Sequence, residues 1–127
     1  MMKTKPISTN KAPGAVGPYS QGMNANNLIF TSGQLPIVPE TGELLKGNIK
    51  KETRLCLDHV LAVVEAGGAR LEDIVKVNIY IKDMEDFPLI NEEYEDFFKG
   101  HKPARSCVQV AKLPKDGNIE IEAIAVL

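Results

Sequence analysis

The sequence is poor in the side chains from which metal and redox sites are built. Its 127 residues include two cysteines, Cys56 and Cys107, and two histidines, His59 and His101. The cysteines lie far apart and lack the paired spacing of zinc and redox motifs, so we interpret them as reduced thiols of a cytoplasmic protein. So few ligands and bases argue against a metal site, a catalytic triad or a Cys-His pair. We expect no metal site.

The sequence also has no excess of positive charge and no long apolar run. Its 15 Lys and Arg are scattered among 17 Asp and Glu, the net charge is −2, and the electric field that attracts nucleic acid is missing. The apolar run at residues 60–64 is too short to span a bilayer, and no apolar stretch follows the positive charges of the N-terminus. These absences predict an untargeted, soluble, cytoplasmic protein with no nucleic-acid or membrane partner.

Composition and apolar periodicity predict a single α+β domain over residues 1–127. A chain with 43% hydrophobic and 25% charged residues is typical of one globular core. Apolar residues at spacings of three and four indicate two helices, while alternation and turn residues indicate strands. In chain order, the predicted elements are a hairpin at 21–34, a helix at about 48–66, a strand at 74–81, a helix at about 86–99, and strands at about 105–111 and 119–126.

Two helices cannot cover both faces of such a sheet. We therefore expect a mixed sheet of five or six strands with both helices on one face. A domain of this size hides only about two-thirds of the surface of its unfolded chain, so the uncovered face favours a partner subunit.

Polar side chains of the predicted helices are expected to face solvent. His59 lies off the apolar stripe of the first helix, among polar neighbours, so we expect it at the surface. The acidic run at residues 92–96 lies mostly away from the apolar stripe of the second helix. This position favours a solvated face over a metal cage.

Arg105 is the sharpest candidate for a binding residue. It begins a predicted strand, and its guanidinium can hold a carboxylate through two parallel hydrogen bonds. The alternative is an ordinary surface or interface ion pair. Cys107 points to the same face of that strand. We interpret its sulfur as packing rather than as a nucleophile, because no motif ties a histidine to it.

The last predicted strand carries carboxylates among apolar residues. Glu120 and Glu122 share one of its faces, where a partly buried carboxylate can orient and deprotonate a water. The alternative is that both simply face solvent. Tyr19, just before the hairpin, and Gly33, just after it, could close a pocket, although a core or interface aromatic and a β-bulge are their default interpretations.

Five short motifs follow one another along the chain: Gly17-Pro18-Tyr19, Thr31-Ser32-Gly33-Gln34, Pro103-Ala104-Arg105-Ser106-Cys107-Val108, Leu113-Pro114-Lys115-Asp116 and Ile119-Glu120-Ile121-Glu122-Ala123. Together, and in this order, they resemble the reactive intermediate deaminase family, also called the Rid or YjgF family. The resemblance extends over essentially the whole chain. Any one of the motifs alone would be a weak signal.

This resemblance implies a chorismate-mutase-like α+β fold that assembles as a homotrimer, with pockets between subunits. It implies hydrolysis of 2-iminopropanoate and 2-iminobutanoate to 2-oxo acids and ammonia, a reaction that requires no metal, cofactor or covalent nucleophile. Arg105 then corresponds to the clamp for the substrate carboxylate, the Cys107 backbone to a contact with the imine or the carboxylate, and Glu120 to the residue that positions water. The other pocket residues implied by the resemblance are Tyr19, Ser32, Gly33 and Asn91.

Two questions stay open at this point. A hairpin about Asp116-Gly117 would place Glu120 opposite Leu113, some eight residues or roughly 25 Å from Arg105. The pocket would then draw on neighbouring subunits, unless the last strand pairs elsewhere.

The second question is whether the protein is an enzyme, because a trimeric sensor could bind 2-oxo acids without turnover. Family labels of translation inhibitor or ribonuclease are disfavoured by the absence of a basic stripe.

Overall fold

The computed structural model describes residues 3–127, which form a six-stranded sheet with two helices on one face. Short 3-10 turns at Leu71–Asp73, Met84–Asp86 and Pro114–Asp116 precede a strand, a helix and a strand respectively. The architecture confirms the predicted α+β mixed sheet. The strands are β1 (Thr4–Ile7), β2 (Gly22–Ala25), β3 (Leu28–Thr31), β4 (Ile74–Ile81), β5 (Ala104–Gln109) and β6 (Ile119–Val126), and the helices are α1 (Ile49–Ala66) and α2 (Phe87–Phe98).

The last strand lies inside the sheet rather than beside the strand that precedes it. The strand order is β1-β2-β3-β6-β4-β5. β4 and β5 run parallel and are connected through α2, whereas the other neighbouring strands are antiparallel. In these ladders Phe30 lies opposite Ile124, and Tyr80 lies opposite Glu120. The hairpin about Asp116-Gly117 therefore does not form.

The first strand, β1, has no counterpart among the strands predicted from the sequence. Ile7 is buried, whereas the three residues before it are exposed. With one buried side chain the segment shows no alternation, and Pro6 is tolerated because an edge strand has a free side. β1 is recognisable from its pairing with β2, which a local pattern does not contain.

Helix α1 is capped by an exchange of hydrogen bonds at its N-terminus. Asn48 accepts a hydrogen bond from the backbone nitrogen of Lys51 at 3.1 Å. The carboxylate of Glu52, which is 1% exposed, accepts from the backbone nitrogen of Asn48 at 3.0 Å and from Asn118 Nδ2 at 2.9 Å. These bonds satisfy the buried carboxylate and tie the start of α1 to the segment that leads into β6.

The prediction that His59 lies at the surface is wrong. Its side chain is 2% exposed, and its Nε2 donates to the carbonyl oxygen of Ile37 at 2.7 Å. Burial lowers the pKa of this imidazole, so the neutral ring is favoured. The loop between β3 and α1 covers this side of the helix, and helical periodicity carries no information about a covering loop.

Both helices pack on one face of the sheet and leave the other uncovered. In β6, Ile119 and Ile121 are buried beneath the helices, while Glu120 between them points the other way. On that second face, Phe30 and Val108 are 40% and 47% exposed. We call this second face of the sheet the open face. Its exposure confirms the prediction that two helices leave one face of the sheet uncovered. Within residues 3–127, no helix is both long enough and apolar enough to cross a membrane.

Candidate active site

Arg105 lies on the helix-covered side of the edge strand β5. In the β4–β5 ladder, Arg105 is paired with Val77 and Cys107 with Ile79. Both β4 residues are fully buried beneath the helices, so Arg105 and Cys107 face α2. Arg105 Nη1 donates to Asn91 Oδ1 on that helix at 2.7 Å. Two residues of the predicted site are thus in direct contact.

The Arg105 guanidinium lies between two aromatic rings. Its central carbon is 5.3 Å from the ring centroid of Phe87 and 4.8 Å from that of Tyr94. None of the ion pairs formed within residues 3–127 includes Arg105, so a surface ion pair, one of the two alternatives considered, does not form within these residues. Several guanidinium donors stay available to an anion. The helical spacing of Phe87 and Tyr94 marks them as core residues, and it carries no signal of this contact.

Cys107 packs beside the candidate clamp as a thiol. Its side chain is half-buried against the hydrophobic core. Burial raises the pKa of the thiol more than nearby Arg105 lowers it. A thiol with a raised pKa is protonated at neutral pH and is a poor nucleophile. The arrangement supports a packing role for the sulfur and leaves the backbone of this edge strand as the group that could touch a ligand.

Glu120 lies on the open face, next to Gly33. Its carboxylate is half-buried and projects from β6 on the side away from the helices. A Cβ atom built on Gly33 would lie 2.7 Å from Glu120 Cδ, so the glycine makes room for the carboxylate. Burial raises the pKa of Glu120, and repulsion from the charge of Glu122 raises it further. A carboxylate with a raised pKa is a better base at neutral pH.

Two residues of β4 hold Glu122 in place beside Glu120. Asn78 Nδ2 and the Tyr80 hydroxyl both donate to Glu122 Oε2, at 3.1 Å and 2.9 Å. The hydrogen bond from the Tyr80 hydroxyl to Glu122 is the main cause of the raised pKa of Tyr80. These two hydrogen bonds therefore fix the carboxylate of Glu122 at a position where its charge raises the pKa of Glu120. Sequence reasoning missed Asn78 and Tyr80, because they reach Glu122 across a strand pairing that no local pattern specifies.

The segment that carries Tyr19 is held by polar side chains. Gln21, which is 5% exposed, accepts from the backbone nitrogen of Thr9 at 2.7 Å. Ser32 Oγ donates to the carbonyl oxygen of Ser20 at 2.6 Å. The Ser32 hydroxyl thus fixes this segment, while the Tyr19 ring is 50% exposed. Tyr19 and Gly33 line the same cavity of about 260 Å³, together with apolar side chains that include Leu35.

The predicted site residues fall into two groups, which we name for their charged members. The arginine half-site consists of Asn91, Arg105 and Cys107, and the carboxylate half-site consists of Tyr19, Gly33 and Glu120. Ser32 supports the second group through the backbone.

These half-sites lie on opposite faces of the sheet. Through the ladders, Glu120 is level with Tyr80 and Val108, three residues beyond Arg105 on β5. At about 3.3 Å per residue and about 4.8 Å per strand, the displacement is about 10 Å along the strands and about 10 Å across them. The distance of roughly 25 Å would apply only to a hairpin of β5 and β6, and β6 pairs elsewhere in the sheet. The sheet itself still separates Arg105 from Glu120 within one chain.

The acidic run of α2 is used in ion pairs between the helices. Arg54 of α1 pairs with Glu93 at 2.6 Å and with Asp96 at 2.5 Å. In the part of the chain that the structure describes, no group of three or more His, Cys, Asp and Glu side chains is arranged to hold a metal ion.

Comparison with solved structures defines the class of protein. The fold superposes on the YjgF gene product of Escherichia coli with a TM-score of 0.92 and 51% identity, covering 96% of this chain and 98% of that one. It superposes on E. coli TdcF with bound serine with a TM-score of 0.93 and 50% identity, covering 97% and 98%. The protein is thus an α+β domain of the class to which these two belong.

The family follows from the sequence. A family model described as Endoribonuclease L-PSP matches residues 9–127, and the chain belongs to this family, the Rid or YjgF family. A protein of E. coli strain K12 named 2-iminobutanoate/2-iminopropanoate deaminase is 52% identical over 126 residues, which are 97% of this chain and 98% of that protein. The resemblance inferred from the five motifs is confirmed.

Proposed function

We propose that this protein is a hydrolase that converts reactive 2-imino acids, such as 2-iminopropanoate and 2-iminobutanoate, into 2-oxo acids and ammonia. The observation that carries the proposal is the environment of Arg105. Its guanidinium contacts neutral groups, and its remaining hydrogen-bond donors can bind a carboxylate. The relative at 52% identity is named for this reaction. The serine bound to TdcF likewise carries a carboxylate beside a carbon that bears nitrogen.

The chemistry asks little of the protein. The Arg105 guanidinium binds the substrate carboxylate through two hydrogen bonds, and the backbone at Cys107 contacts the same end of the substrate. Glu120 takes a proton from a water molecule as the water oxygen attacks the electrophilic C2 of the imine, and delivers that proton to the imine nitrogen, which gives a carbinolamine. Glu120 then transfers the hydroxyl proton of the carbinolamine to its amino nitrogen, the C–N bond breaks, and ammonia leaves as the C2 carbonyl forms. Positioning replaces any need for a metal or an organic cofactor.

We further propose that each pocket forms between two copies of the chain in a homotrimer. Arg105 and Glu120 face opposite sides of one sheet, so a shared substrate needs the arginine half-site of one copy and the carboxylate half-site of another. Such a contact joins two different surfaces and closes into a ring. The open face offers the apolar side chains Phe30 and Val108 for it, and the family resemblance implies three copies.

The decisive assay for the function uses the unmodified protein. Threonine dehydratase generates 2-iminobutanoate in solution, and the appearance of 2-oxobutanoate is followed with and without this protein. Turnover above the spontaneous rate supports the proposal. A rate equal to the spontaneous one, with 2-oxobutanoate still bound in a titration, would instead identify a sensor.

The family description names a second activity, the cleavage of RNA. The net charge of −2 and the absence of a basic cluster do not suit a polyanionic substrate. Incubation of the same preparation with a structured RNA separates the two activities, and we expect intact RNA. Cleavage that co-purifies with the protein and is lost in Glu120→Gln would favour the nuclease.

Mixed oligomers test whether the pocket is shared between subunits. Arg105→Ala and Glu120→Gln chains with different affinity tags are co-expressed, and oligomers carrying both tags are isolated. In a cyclic trimer, either mixture contains one pocket with both intact residues, so we expect about one-third of the wild-type rate. Each variant alone should be nearly inactive. Complete inactivity of the doubly tagged trimers would show that both residues of a pocket come from one chain.

Glu122→Gln is expected to change the pH dependence of turnover. Glu120 acts as a base when ionised, so kcat/KM falls as the pH drops through its raised pKa. Removing the negative charge of Glu122 favours ionised Glu120, lowers that pKa and moves the acid limb to lower pH. Burial persists, so the pKa stays above the ordinary value. The exposed Glu65→Gln is the matched control and should leave the profile in place. An acid limb that is identical in Glu122→Gln and wild type would exclude Glu120 as the titrating base.

A further inference from the structure

Helix α2 presents three residues to Arg105 from one of its faces. Phe87, Asn91 and Tyr94 are spaced four and three residues apart, which aligns them along one side of a helix. The two rings lie 5.3 Å and 4.8 Å from the guanidinium carbon, and the amide oxygen between them accepts a hydrogen bond at 2.7 Å. We call Phe87 and Tyr94 the aromatic bracket.

A second arginine in the same molecule shows what is unusual about this bracket. Arg54 also lies over a ring, with its guanidinium carbon 5.3 Å from the centroid of Phe97. Its charge, however, is neutralised by Glu93 and Asp96. Arg105 has the same kind of aromatic support, but within residues 3–127 it forms no ion pair with a carboxylate.

The two kinds of support have different consequences for ligand binding. A carboxylate would hold the guanidinium but would consume both its charge and the paired donors that a substrate needs. Aromatic faces attract the cation through the ring quadrupole and leave its edge free. An arginine side chain also loses much rotamer freedom when it is fixed, so holding it in advance improves the binding of its ligand.

We propose that Phe87 and Tyr94 are positioning residues, which hold the Arg105 guanidinium in place without neutralising it and so present its free donors to the carboxylate of the substrate. The identity of that substrate rests on the function proposed above, whereas the bracket itself can be tested in the ligand-free protein. The ring of Tyr94 carries this role. Its hydroxyl is buried and has no hydrogen-bond partner among the residues described, so removing the hydroxyl breaks no hydrogen bond within them.

Paired substitutions at Tyr94 separate the ring from the hydroxyl. In Tyr94→Leu, KM for 2-iminobutanoate and Kd for 2-oxobutanoate are expected to rise about tenfold, with kcat within about twofold, because the loss lies in positioning the binding group. Tyr94→Phe keeps the ring and should match wild type. Phe87→Leu, at a half-buried position, should repeat the rise if Tyr94→Leu folds poorly. Phe97→Leu is the matched control, since that ring supports Arg54 instead.

A second measurement is independent of activity. In the ligand-free protein, the Nε–H resonance of Arg105 should be shifted upfield by the two ring currents, equally in Tyr94→Phe and less in Tyr94→Leu. Wild-type KM and an unchanged resonance in Tyr94→Leu and Phe87→Leu would overturn the bracket, as would a Tyr94→Phe variant as impaired as Tyr94→Leu. If wild type hydrolyses no imine while Tyr94→Leu has a smaller ring-current shift and binds 2-oxobutanoate more weakly, the proposed reaction fails and the bracket stands.

Discussion

Replacement of Arg105 with alanine is expected to lower kcat/KM for imine hydrolysis by roughly 10²–10⁴-fold. Two charge-assisted hydrogen bonds to the substrate carboxylate are lost, and each contributes about 1.5–3 kcal/mol. Arg105→Lys should recover part of this loss, because it restores the charge but not the planar pair of donors. The measurement is 2-oxobutanoate release at substrate concentrations below KM, with the oligomeric state of each variant recorded by light scattering.

Arg54→Ala is the matched control for this experiment. It also removes an arginine that lies over a ring, but one that ties α1 to α2 through Glu93 and Asp96. We expect a loss of stability of at most about 1 kcal/mol, since these partners are partly exposed, and no change in turnover. Arg105→Ala activity within threefold of wild type would rule out the clamp. Dissociation of the Arg105→Ala oligomer would make the residue structural instead.

The second large effect is expected for Glu120→Gln, in which kcat should fall by roughly 10²–10⁴-fold. Glutamine keeps the shape of the side chain beside Gly33 but cannot accept a proton from water. The Kd for 2-oxobutanoate should stay within about threefold of wild type, because the carboxylate of the ligand is bound by Arg105. Pre-steady-state hydrolysis and a binding titration separate these two quantities.

Two outcomes would contradict this role for Glu120. Unchanged kcat in Glu120→Gln would mean that water attacks without this base. Lost binding with residual turnover would place Glu120 in ligand recognition. Glu122→Gln keeps Glu120 itself and should alter the pH profile rather than remove turnover, so it distinguishes a general base from a merely acidic surface.

The helices and most strands are specified by local patterns. The apolar periodicity ending at Gly67 marks α1, and the alternation of apolar residues marks β4 and β6. The candidate charges could also be found, because Arg105 and Glu120 stand in motifs that resemble a family. His59 shows the limit of this reasoning, since its burial depends on a loop that packs from elsewhere in the chain.

The residues around the candidate charges could not be found in this way. Asn78 and Tyr80 reach Glu122 only because β6 pairs with β4. The contact of Phe87 and Tyr94 with Arg105 depends on how α2 lies across β5. Each of these contacts joins residues that are distant along the chain or in different elements, so no spacing in the sequence predicts it.

The sequence by itself determined the periodic elements, the α+β class, the family motifs and the two charges proposed to carry the chemistry, because all of these are recorded in local order and residue type. The tertiary structure alone decided that Arg105 and Glu120 lie on opposite faces of the sheet. That outcome follows from the insertion of β6 between β3 and β4, and strand order is set by the total burial and pairing of the whole chain rather than by any segment of it.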